Sequence, residues 1–402
     1  MTSLWCKQTA YTLLLLLTGS FSCAQASDKS PEQQLVNALN SIQSQKIDLA
    51  ISQLQKLVKA KPDFRLAQLV FADMLQAKSK GLAKVGQSLK DSKLLTGFLQ
   101  EAKKRQYSIN NPVDKSLLPA ALLNLDKQYQ YAIVVELNQS RLYLFENENG
   151  VPRQLDNYYV SMGKSGPDKQ VEGDNRTPLG VYFIENFLSP NSLPDKYGEG
   201  AFPLNYPNVW DDRLGRTGYG IWLHGTPLDT FSRPPRDSEG CVVLSNSDLQ
   251  TVGNYLQLRR TPFVIADNIN WLEQQQWKQK KQYFTNLISS WQQDWQSLDT
   301  SRYIQHYSKT FKAGNSDFTQ WYSHKKRVNK NKKFIRVKTE DLSILKHPKD
   351  NVLVVTFRQH YKSDNYSSTG YKRQYWKQEE DGHWRIIFEG QVREPDQVLT
   401  QL

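Results

Sequence analysis

Thiols, long apolar runs and motifs for metal or nucleotide binding are scarce or missing in this sequence. Only three of its 402 residues are cysteine and six are histidine. No zinc-ligand spacing, phosphate loop or dinucleotide fingerprint occurs, so we predict no metal or organic cofactor. The longest apolar run, 13–17, and the mean hydropathy of −0.65 exclude a polytopic membrane protein. Apolar residues still make up 38% of the chain, which excludes general disorder.

Basic residues outnumber acidic ones and give the chain a formal net charge of +12. This charge permits an anionic partner, such as a cell-wall polymer, nucleic acid or a membrane surface, without selecting one of them. The segment 325–338 contains eight basic residues and no acidic one. We interpret it as a solvated loop and strand face, with contact to an anionic polymer as the alternative.

The first residues have the pattern of an export signal. Lys7 is the only charged residue before Asp28, an apolar stretch covers 11–17, and 24–26 have the small-x-small form of a signal-peptidase site. We predict cleavage after Ala26. An uncleaved anchor is one alternative, although the apolar stretch is short for the roughly 20 residues of a membrane span. A lipoprotein modified at Cys23 is another, although the leucine expected three residues upstream is absent.

Cleavage at this point leaves Cys241 as the only cysteine of the mature chain. A single thiol in an exported protein cannot form an internal disulfide. It is therefore a buried residue, half of an intermolecular bridge, or a reactive group. Cysteine usage thus singles out Cys241 before any motif is considered.

Hydrophobic periodicity divides the rest of the chain into domains. Residues 27–110 repeat apolar side chains every three to four positions, which predicts a helical domain with one tetratricopeptide-like hairpin. Such a domain offers a surface for protein docking or for a homodimer. A linker, 111–127, precedes a mostly β domain, 128–270, with one helix, 247–258, capped by Asn246 or Ser247.

The last region, 276–395, combines helices with an antiparallel sheet. The pattern predicts helices over 277–296 and 298–311, followed by strands over 333–338, 352–361, 371–378 and 383–389. This order is similar to the nuclear-transport-factor-2-like (NTF2-like) fold, in which a curved sheet surrounds a cavity. The predicted fold class is multidomain, with α-helical, mostly β and α+β parts.

Two short motifs in the β domain suit nucleophilic catalysis: 224–226, His-Gly-Thr, and 238–241, Ser-Glu-Gly-Cys. A free thiol has a pKa of ~8.5 and is a poor nucleophile until a base such as imidazole takes its proton. His224 ends an apolar strand, and the loop that follows can return Cys241 to its side. The Gly225 carbonyl can accept the second imidazole proton, and Gly240 permits a turn whose amides face an oxyanion.

These motifs resemble those of the L,D-transpeptidase (YkuD) family. Residues 174–182 and 142–145 resemble the family's upstream segment and its early strand. The resemblance implies that Cys241 is the nucleophile, His224 the base and the Gly225 carbonyl its orienting partner. The three-domain layout resembles the branch that includes L,D-carboxypeptidases shaping helical bacteria.

The same comparison assigns supporting residues of the motif and reveals three departures from the family pattern, one of which is the 13-residue gap from His224 to Ser238, slightly short of the usual range. Ser238 and Gly240 occupy the motif's structural positions beside the nucleophile. Glu239 stands where the family usually has a second histidine, and Val243 stands where it often has an arginine. These departures affect the choice of acceptor and the binding of the substrate carboxylate.

The resemblance implies a periplasmic enzyme, at most peripheral to the membrane, that acts on peptidoglycan tetrapeptide stems. A Cys241 thioester would release the terminal D-alanine, and the amine of a second stem would then form a 3→3 cross-link. Water as the acceptor would instead give an L,D-carboxypeptidase that trims stems and sets cell shape. A catalytically dead cell-wall scaffold is the other alternative, and export argues against nucleic acid. Candidate substrate-binding residues are Arg213, Arg216, Arg233, Arg236 and Tyr206.

Overall fold

The computed structural model describes residues 30–80, 92–314 and 316–392. The export signal predicted for residues 1–26 lies outside these ranges. No helix within them is both long enough and apolar enough to cross a bilayer.

The N-terminal domain is helical, as the periodicity predicted. Ser30 begins the first helix by accepting a hydrogen bond from the Gln33 N–H at 3.2 Å, and proline occupies the first turn. Leu35, Leu54 and Phe64 are fully buried in one core shared by the helices. Within its described residues, 30–80 and 92–110, the helices are α1 (Pro31–Gln43), α2 (Ile47–Ala60), α3 (Arg65–Lys80) and α4 (Ser92–Asn110).

The central domain is mostly β. The strands are β1 (Leu118–Pro119), β2 (Leu122–Asn124), β3 (Tyr131–Glu136), β4 (Arg141–Glu148), β5 (Val151–Tyr159), β6 (Met162–Gly163), β7 (Gly180–Phe183), β8 (Ala201–Pro203), β9 (Trp222–His224), β10 (Arg236–Ser238), β11 (Val242–Val243), β12 (Pro262–Ala266) and β13 (Trp271–Leu272), and the helices are α5 (Val209–Arg213) and α6 (Asn246–Gly253). The main sheet has the order β5-β4-β3-β12-β7, and a second sheet has the order β11-β9-β8.

The C-terminal domain is a helix packed on a mostly antiparallel sheet, as predicted, with one parallel pair near its edge. Its long helix buries one stripe of aromatic and aliphatic side chains at helical spacing, including Trp277, Ile288 and Trp295. The elements are α7 (Gln274–Gln296), α8 (Thr300–Tyr303), β14 (Tyr307–Ala313), β15 (Ser316–Asp317), α9 (Phe318–Asn329), β16 (Ile335–Lys346), β17 (Val352–Ser363), β18 (Ser367–Gln378) and β19 (Trp384–Val392). The strands of the sheet have the order β15-β14-β19-β18-β17-β16-β2.

The central and C-terminal domains share a hydrophobic core. Alternate residues of β3 point to opposite faces of the main sheet, so Ile133 and Val135 enter the core of the central domain. Ala132 and Val134 enter a second core, to which the C-terminal sheet contributes residues such as Tyr375. Both faces of β3 are therefore buried, which explains its unbroken apolar sequence.

Three sequence predictions of local structure were wrong. The predicted linker contains β1 and β2, and β2 pairs with β16 of the C-terminal sheet. The predicted helix 298–311 is helical only over Thr300–Tyr303 and a following 3₁₀ turn, and from Tyr307 the chain forms β14. The helix predicted over 247–258 is α6, and its cap is Ser245, whose hydroxyl accepts the Asp248 N–H at 3.1 Å.

The basic segment 325–338 is also placed differently from the prediction. It covers the end of α9, a short turn and the start of β16 rather than a loop and one strand. Lys325 is partly buried, with its ammonium 4.3 Å from the ring centroid of Trp321 and 4.6 Å from that of Trp295. This residue therefore belongs to the interior of the C-terminal domain and not to a solvated charged face.

Candidate active site

The predicted nucleophile and base lie on neighbouring strands of one sheet. β9 and β11 run parallel, and Val243 lies opposite His224. Cys241 directly precedes β11. Because alternate residues of an extended chain point to the same side, Cys241 and Val243 share the face that carries His224. The sequence motifs are thus brought together although 16 residues separate them.

Backbone groups orient both side chains. His224 Nδ1 lies 2.7 Å from the Gly225 carbonyl oxygen, which can only accept, so this nitrogen carries the proton and Nε2 is left as the base. A Cβ at Gly225 would lie 2.1 Å from Asn246 Oδ1, so only glycine fits there. The Cys241 thiol donates to the Gly220 carbonyl at 3.3 Å, and no hydrogen bond joins it to His224 among the described residues.

Burial keeps both groups neutral at rest. Burial, together with the positive charges of Arg233 and Lys196, outweighs the effect of the Gly225 carbonyl and lowers the pKa of His224 to about 4. Burial raises the pKa of Cys241 to about 11, although the Trp222 N–H, Lys196 and Arg233 all favour the thiolate. A thiol and a neutral imidazole therefore face the substrate at neutral pH, rather than a preformed ion pair.

The Ser-Glu-Gly-Cys turn is held by its own serine. Ser238 Oγ donates to the Cys241 carbonyl at 2.6 Å and accepts the Gly240 N–H at 3.1 Å. Gly240 has a φ of +129°, and a Cβ there would lie 2.8 Å from the Arg176 carbonyl oxygen. The Gly240 amide predicted for the oxyanion is thus occupied by Ser238, and Gly240 contributes conformation instead. Glu239 is exposed beside it.

The upstream segment, 174–177, supports this turn from below. Thr177 Oγ1 accepts the Gly163 N–H at 2.9 Å, and the neighbouring Arg176 carbonyl touches Gly240. Asp174 is partly buried, which raises its pKa, but hydrogen bonds from Lys169 and from backbone N–H groups outweigh burial and lower the pKa to about 2. The ionised carboxylate of Asp174 therefore fixes residues 169–176, whose Arg176 carbonyl lies against Gly240 of the nucleophile turn.

Two regions of the chain match known domain families. Residues 130–265 match the L,D-transpeptidase catalytic domain, and residues 282–390 match the Cds6 C-terminal NTF2-like domain. The solved structure of Bd1075 from Bdellovibrio bacteriovorus is similar over 70% of this chain and 100% of that one, with 32% identity and a TM-score of 0.63. The chain belongs to the L,D-transpeptidase family.

Another solved structure supports the branch with a C-terminal NTF2-like domain. Pgp2 from Campylobacter jejuni, described as a helical cell shape determining protein, is 25% identical, with a TM-score of 0.55. The match covers 71% of this chain and 98% of that chain. No curated protein sequence matches. The chain thus carries the catalytic domain of a family that acts on peptidoglycan.

Two residues of the long insertion before the histidine strand lie near the L,D-transpeptidase motifs: sequence reasoning placed Tyr197 in a candidate lid and gave Lys196 no role. The ring centroid of Tyr197 lies 5.0 Å from that of His224, edge to face, and the Tyr197 carbonyl accepts the Gly225 N–H at 3.1 Å. Lys196, its neighbour, acts on the pKa of both His224 and Cys241. The sequence offered only a long insertion before the histidine strand, which shows no direction for these side chains.

Asn246 was considered only as a helix cap, and it has a different role. Its Oδ1 accepts the N–H groups of Glu199 at 3.1 Å and Thr226 at 3.2 Å, and its Nδ2 donates to the Thr226 carbonyl at 2.9 Å. One amide side chain thus ties the insertion that carries Tyr197 to the chain that follows His224. A small polar residue at a helix start gives no signal for such a contact.

Of the predicted substrate-binding residues, two remain close to the catalytic motifs. Arg233 is partly exposed and pairs with Asp237 at 3.0 Å. Its positive charge lowers the pKa of both His224 and Cys241. Arg236 is exposed on β10, with its guanidinium carbon 3.8 Å from the position of a Cβ on Gly166.

Three of the predicted substrate-binding residues have structural roles instead. Arg216 is buried between Asp211 at 3.0 Å and Asp168 at 3.1 Å, so its charge is already neutralised. Arg213 donates to the Thr310 carbonyl at 2.8 Å, in the C-terminal domain. Tyr206 is buried, and its hydroxyl donates to the Thr217 carbonyl at 3.2 Å. Sequence proximity to the motifs did not reveal these partners.

No cluster of three or more histidine, cysteine or carboxylate side chains suited to holding a metal ion occurs within 30–80, 92–314 and 316–392.

Proposed function

We propose that the protein is an exported cysteine enzyme that cleaves the bond between the diamino acid and the terminal D-alanine of peptidoglycan tetrapeptide stems. The observation that carries this proposal is the pairing of β9 with β11, which puts Cys241 and a buried, carbonyl-oriented His224 on one face. Membership of the L,D-transpeptidase family supplies the substrate class.

The first step follows from the charge state of the site. Cys241 Sγ attacks the carbonyl carbon of the diamino acid while His224 Nε2 takes the thiol proton. The tetrahedral intermediate then collapses to a thioester, and the D-alanine amine leaves with that proton from His224. Lys196 and Arg233 favour the thiolate but disfavour the imidazolium, so their two effects on this proton transfer oppose each other.

The acceptor that resolves the Cys241 thioester distinguishes two candidate activities. Transfer to the amine of a second stem gives a 3→3 cross-link, and attack by water gives a tripeptide. The likeness to Pgp2, a helical cell shape determining protein, over 98% of that chain favours water. Trimming the stems removes tetrapeptide donors for later cross-linking, which connects this chemistry to cell shape.

The test uses the purified mature protein with disaccharide tetrapeptide and mass spectrometry. Loss of one D-alanine without dimers indicates a carboxypeptidase, and dimers indicate a transpeptidase. Cys241→Ala and His224→Gln are expected to lower turnover by at least about 10³-fold. His306→Gln is the control, since His306 is also partly buried but pairs with Asp294 at 2.8 Å in the C-terminal domain.

Two results contradict the proposal. Unchanged turnover in Cys241→Ala removes the thiol mechanism. Binding of sacculi by both the wild type and Cys241→Ala, without any muropeptide change, identifies a cell-wall scaffold instead.

The proposal includes export to the periplasm. It is supported by the charge and small-residue pattern of residues 1–26. The mature protein recovered from the periplasm is expected to begin at Ser27, as read by N-terminal sequencing, and a chain retained in the cytoplasm with Met1 contradicts this.

A further inference from the structure

The loop that joins the base to the nucleophile leaves the central domain and enters the helical domain. We call residues 226–237 the linking loop, since His224 precedes it and Cys241 follows it. Its middle packs on one side against α4 and the turn before α3, and on the other side against Tyr159 and Ser161 of the central domain. A domain without any catalytic motif therefore contacts the segment between the two catalytic residues.

Phe231 is the apolar anchor of the linking loop. Its ring centroid lies 4.5 Å from that of Phe64, and it is 7% exposed within the core of the helical domain. The Phe231 N–H donates to the Asp63 carbonyl at 3.1 Å. Both the backbone and the side chain of this residue are thus held by the helical domain.

Ser232 is the polar anchor. Its hydroxyl donates to Glu101 Oε1 at 2.6 Å, and Glu101 lies fully buried on α4. Arg105 binds the same oxygen at 3.0 Å and also reaches Glu32 at 2.9 Å. Glu32 in turn pairs with Arg141 of the central domain at 2.8 Å. This buried network of two carboxylates and two guanidinium groups fixes Glu101 as the acceptor for Ser232.

Pro234 completes the attachment. A Cβ on Gly97 of α4 would lie 3.0 Å from Pro234 Cβ, so the loop rests directly on the helix. Ser161 donates to the Pro234 carbonyl at 2.6 Å from the other side. Arg233 therefore stands between two residues that are both clamped, and the hydroxyl of Tyr159 donates to its carbonyl at 3.0 Å.

We propose that the helical domain is a positioning element of the candidate active site, because by holding Phe231, Ser232 and Pro234 it fixes the linking loop that joins His224 to Cys241 and that carries Arg233. Phe231, Ser232 and Glu101 are positioning residues that act through Arg233. This inference deepens the proposed function and rests on it for the consequence in turnover. Any partner that loosens the linking loop from the helical domain would lower the activity of the site.

The test measures the thiol itself rather than turnover. The rate of Cys241 alkylation by iodoacetamide is followed against pH in the full mature chain, because only the thiolate reacts. The charged groups that act on this sulfur are Lys196, Glu239 and Arg233. We expect Arg233→Gln to raise the thiol pKa and to lower the alkylation rate at pH 8 about threefold.

Phe231→Ala and Ser232→Ala are expected to shift the thiol pKa in the same direction. Because they act through Arg233, either change should add almost nothing in an Arg233→Gln background, which a double-mutant cycle measures. Leu35→Ala is the matched control, since Leu35 is fully buried in the same helical core. It should lower the melting temperature and leave the thiol pKa unchanged.

Several outcomes overturn the inference. One is an unchanged thiol pKa in Arg233→Gln, and another is an unchanged pKa in Ser232→Ala when Arg233→Gln shifts it. Full additivity with Arg233→Gln, or a shift in Leu35→Ala equal to that in Phe231→Ala, also contradicts it. If circular dichroism shows that Phe231→Ala does not fold, the thiol pKa of Ser232→Ala decides whether the inference holds. A normal pattern of thiol shifts without action on muropeptides refutes the proposed function and leaves this inference standing.

Discussion

Removal of Arg105 should destabilise the contact between the helical and central domains. Its side chain is 3% exposed and lies between Glu32 at 2.9 Å and Glu101 at 3.0 Å, with its guanidinium 3.8 Å from the ring centroid of Tyr159. Arg105→Ala leaves Glu101 buried with Ser232 as its remaining hydrogen-bond donor. The second oxygen of Glu101 already lacks a partner among the described residues.

The expected loss in the free energy of unfolding is about 3–5 kcal/mol at pH 8, the usual cost of leaving a buried charge without its partner. Burial already raises the pKa of Glu101 above its ordinary value, against the opposing effect of Arg105. Without Arg105 the carboxyl takes up a proton on folding more readily. Stability in the variant should therefore be greatest at low pH and should fall as the pH rises through the folded pKa of Glu101.

Urea denaturation at pH 5, 6.5 and 8 measures this prediction. The matched control is Arg65→Ala, because the Arg65–Asp229 pair also joins the helical domain to the linking loop but is exposed to solvent. We expect that control to lose less than about 1 kcal/mol at each pH. A loss in Arg105→Ala no larger than in Arg65→Ala, or an equal loss at pH 5 and pH 8, refutes the reasoning.

Three further predictions follow from single residues. Gly240→Ala should lower the free energy of unfolding by about 1–2 kcal/mol through backbone strain, and it should abolish turnover because it displaces the nucleophile. The control is Gly173→Ala, at a φ of +75° with open space around it, which should cost similar strain and leave turnover intact. His224 has a pKa of about 4 in the folded protein against an ordinary 6.5, so the unfolded state takes up a proton first as the pH falls. Between pH 6.5 and 4 the free energy of unfolding of the wild type should therefore fall by about 3 kcal/mol relative to that of His224→Gln, as measured by urea denaturation. Burial lowers the pKa of Lys325 to about 8, so an NMR titration of its ammonium should show a midpoint near that pH, and a midpoint above 10 contradicts the burial.

Sequence patterns were sufficient for the order and class of the domains but not for the irregular strand β14. Tyr307 and Phe311 have helical spacing, and both are buried. They enter the core from a strand because residues four apart share a face in a strand as well as in a helix. Lys309 between them is exposed and the pairing with β19 shifts register before Lys312, so this strand lacks a clear period of two and periodicity assigned it to a helix.

Local motifs were sufficient for the nucleophile, the base and its orienting carbonyl but not for the residues around them. Motifs record short-range backbone requirements. An example is Gly225, where a Cβ would lie 2.1 Å from Asn246 Oδ1. The partner of Arg213 lies 97 residues away in another domain. Lys196 acts on the site from an insertion whose path depends on Asn246. Tertiary contacts of this kind leave no mark in a single sequence.

The active site is a product of all three domains rather than of the catalytic motifs alone. The helical domain holds the linking loop through Phe231 and Ser232. The C-terminal domain shares a core with the main sheet through residues such as Val134 and Tyr375, and it accepts Arg213 from α5. Removal of either neighbour would expose apolar surface of the central domain or release the chain between His224 and Cys241. Both domains without catalytic motifs thus hold segments of the catalytic domain in place.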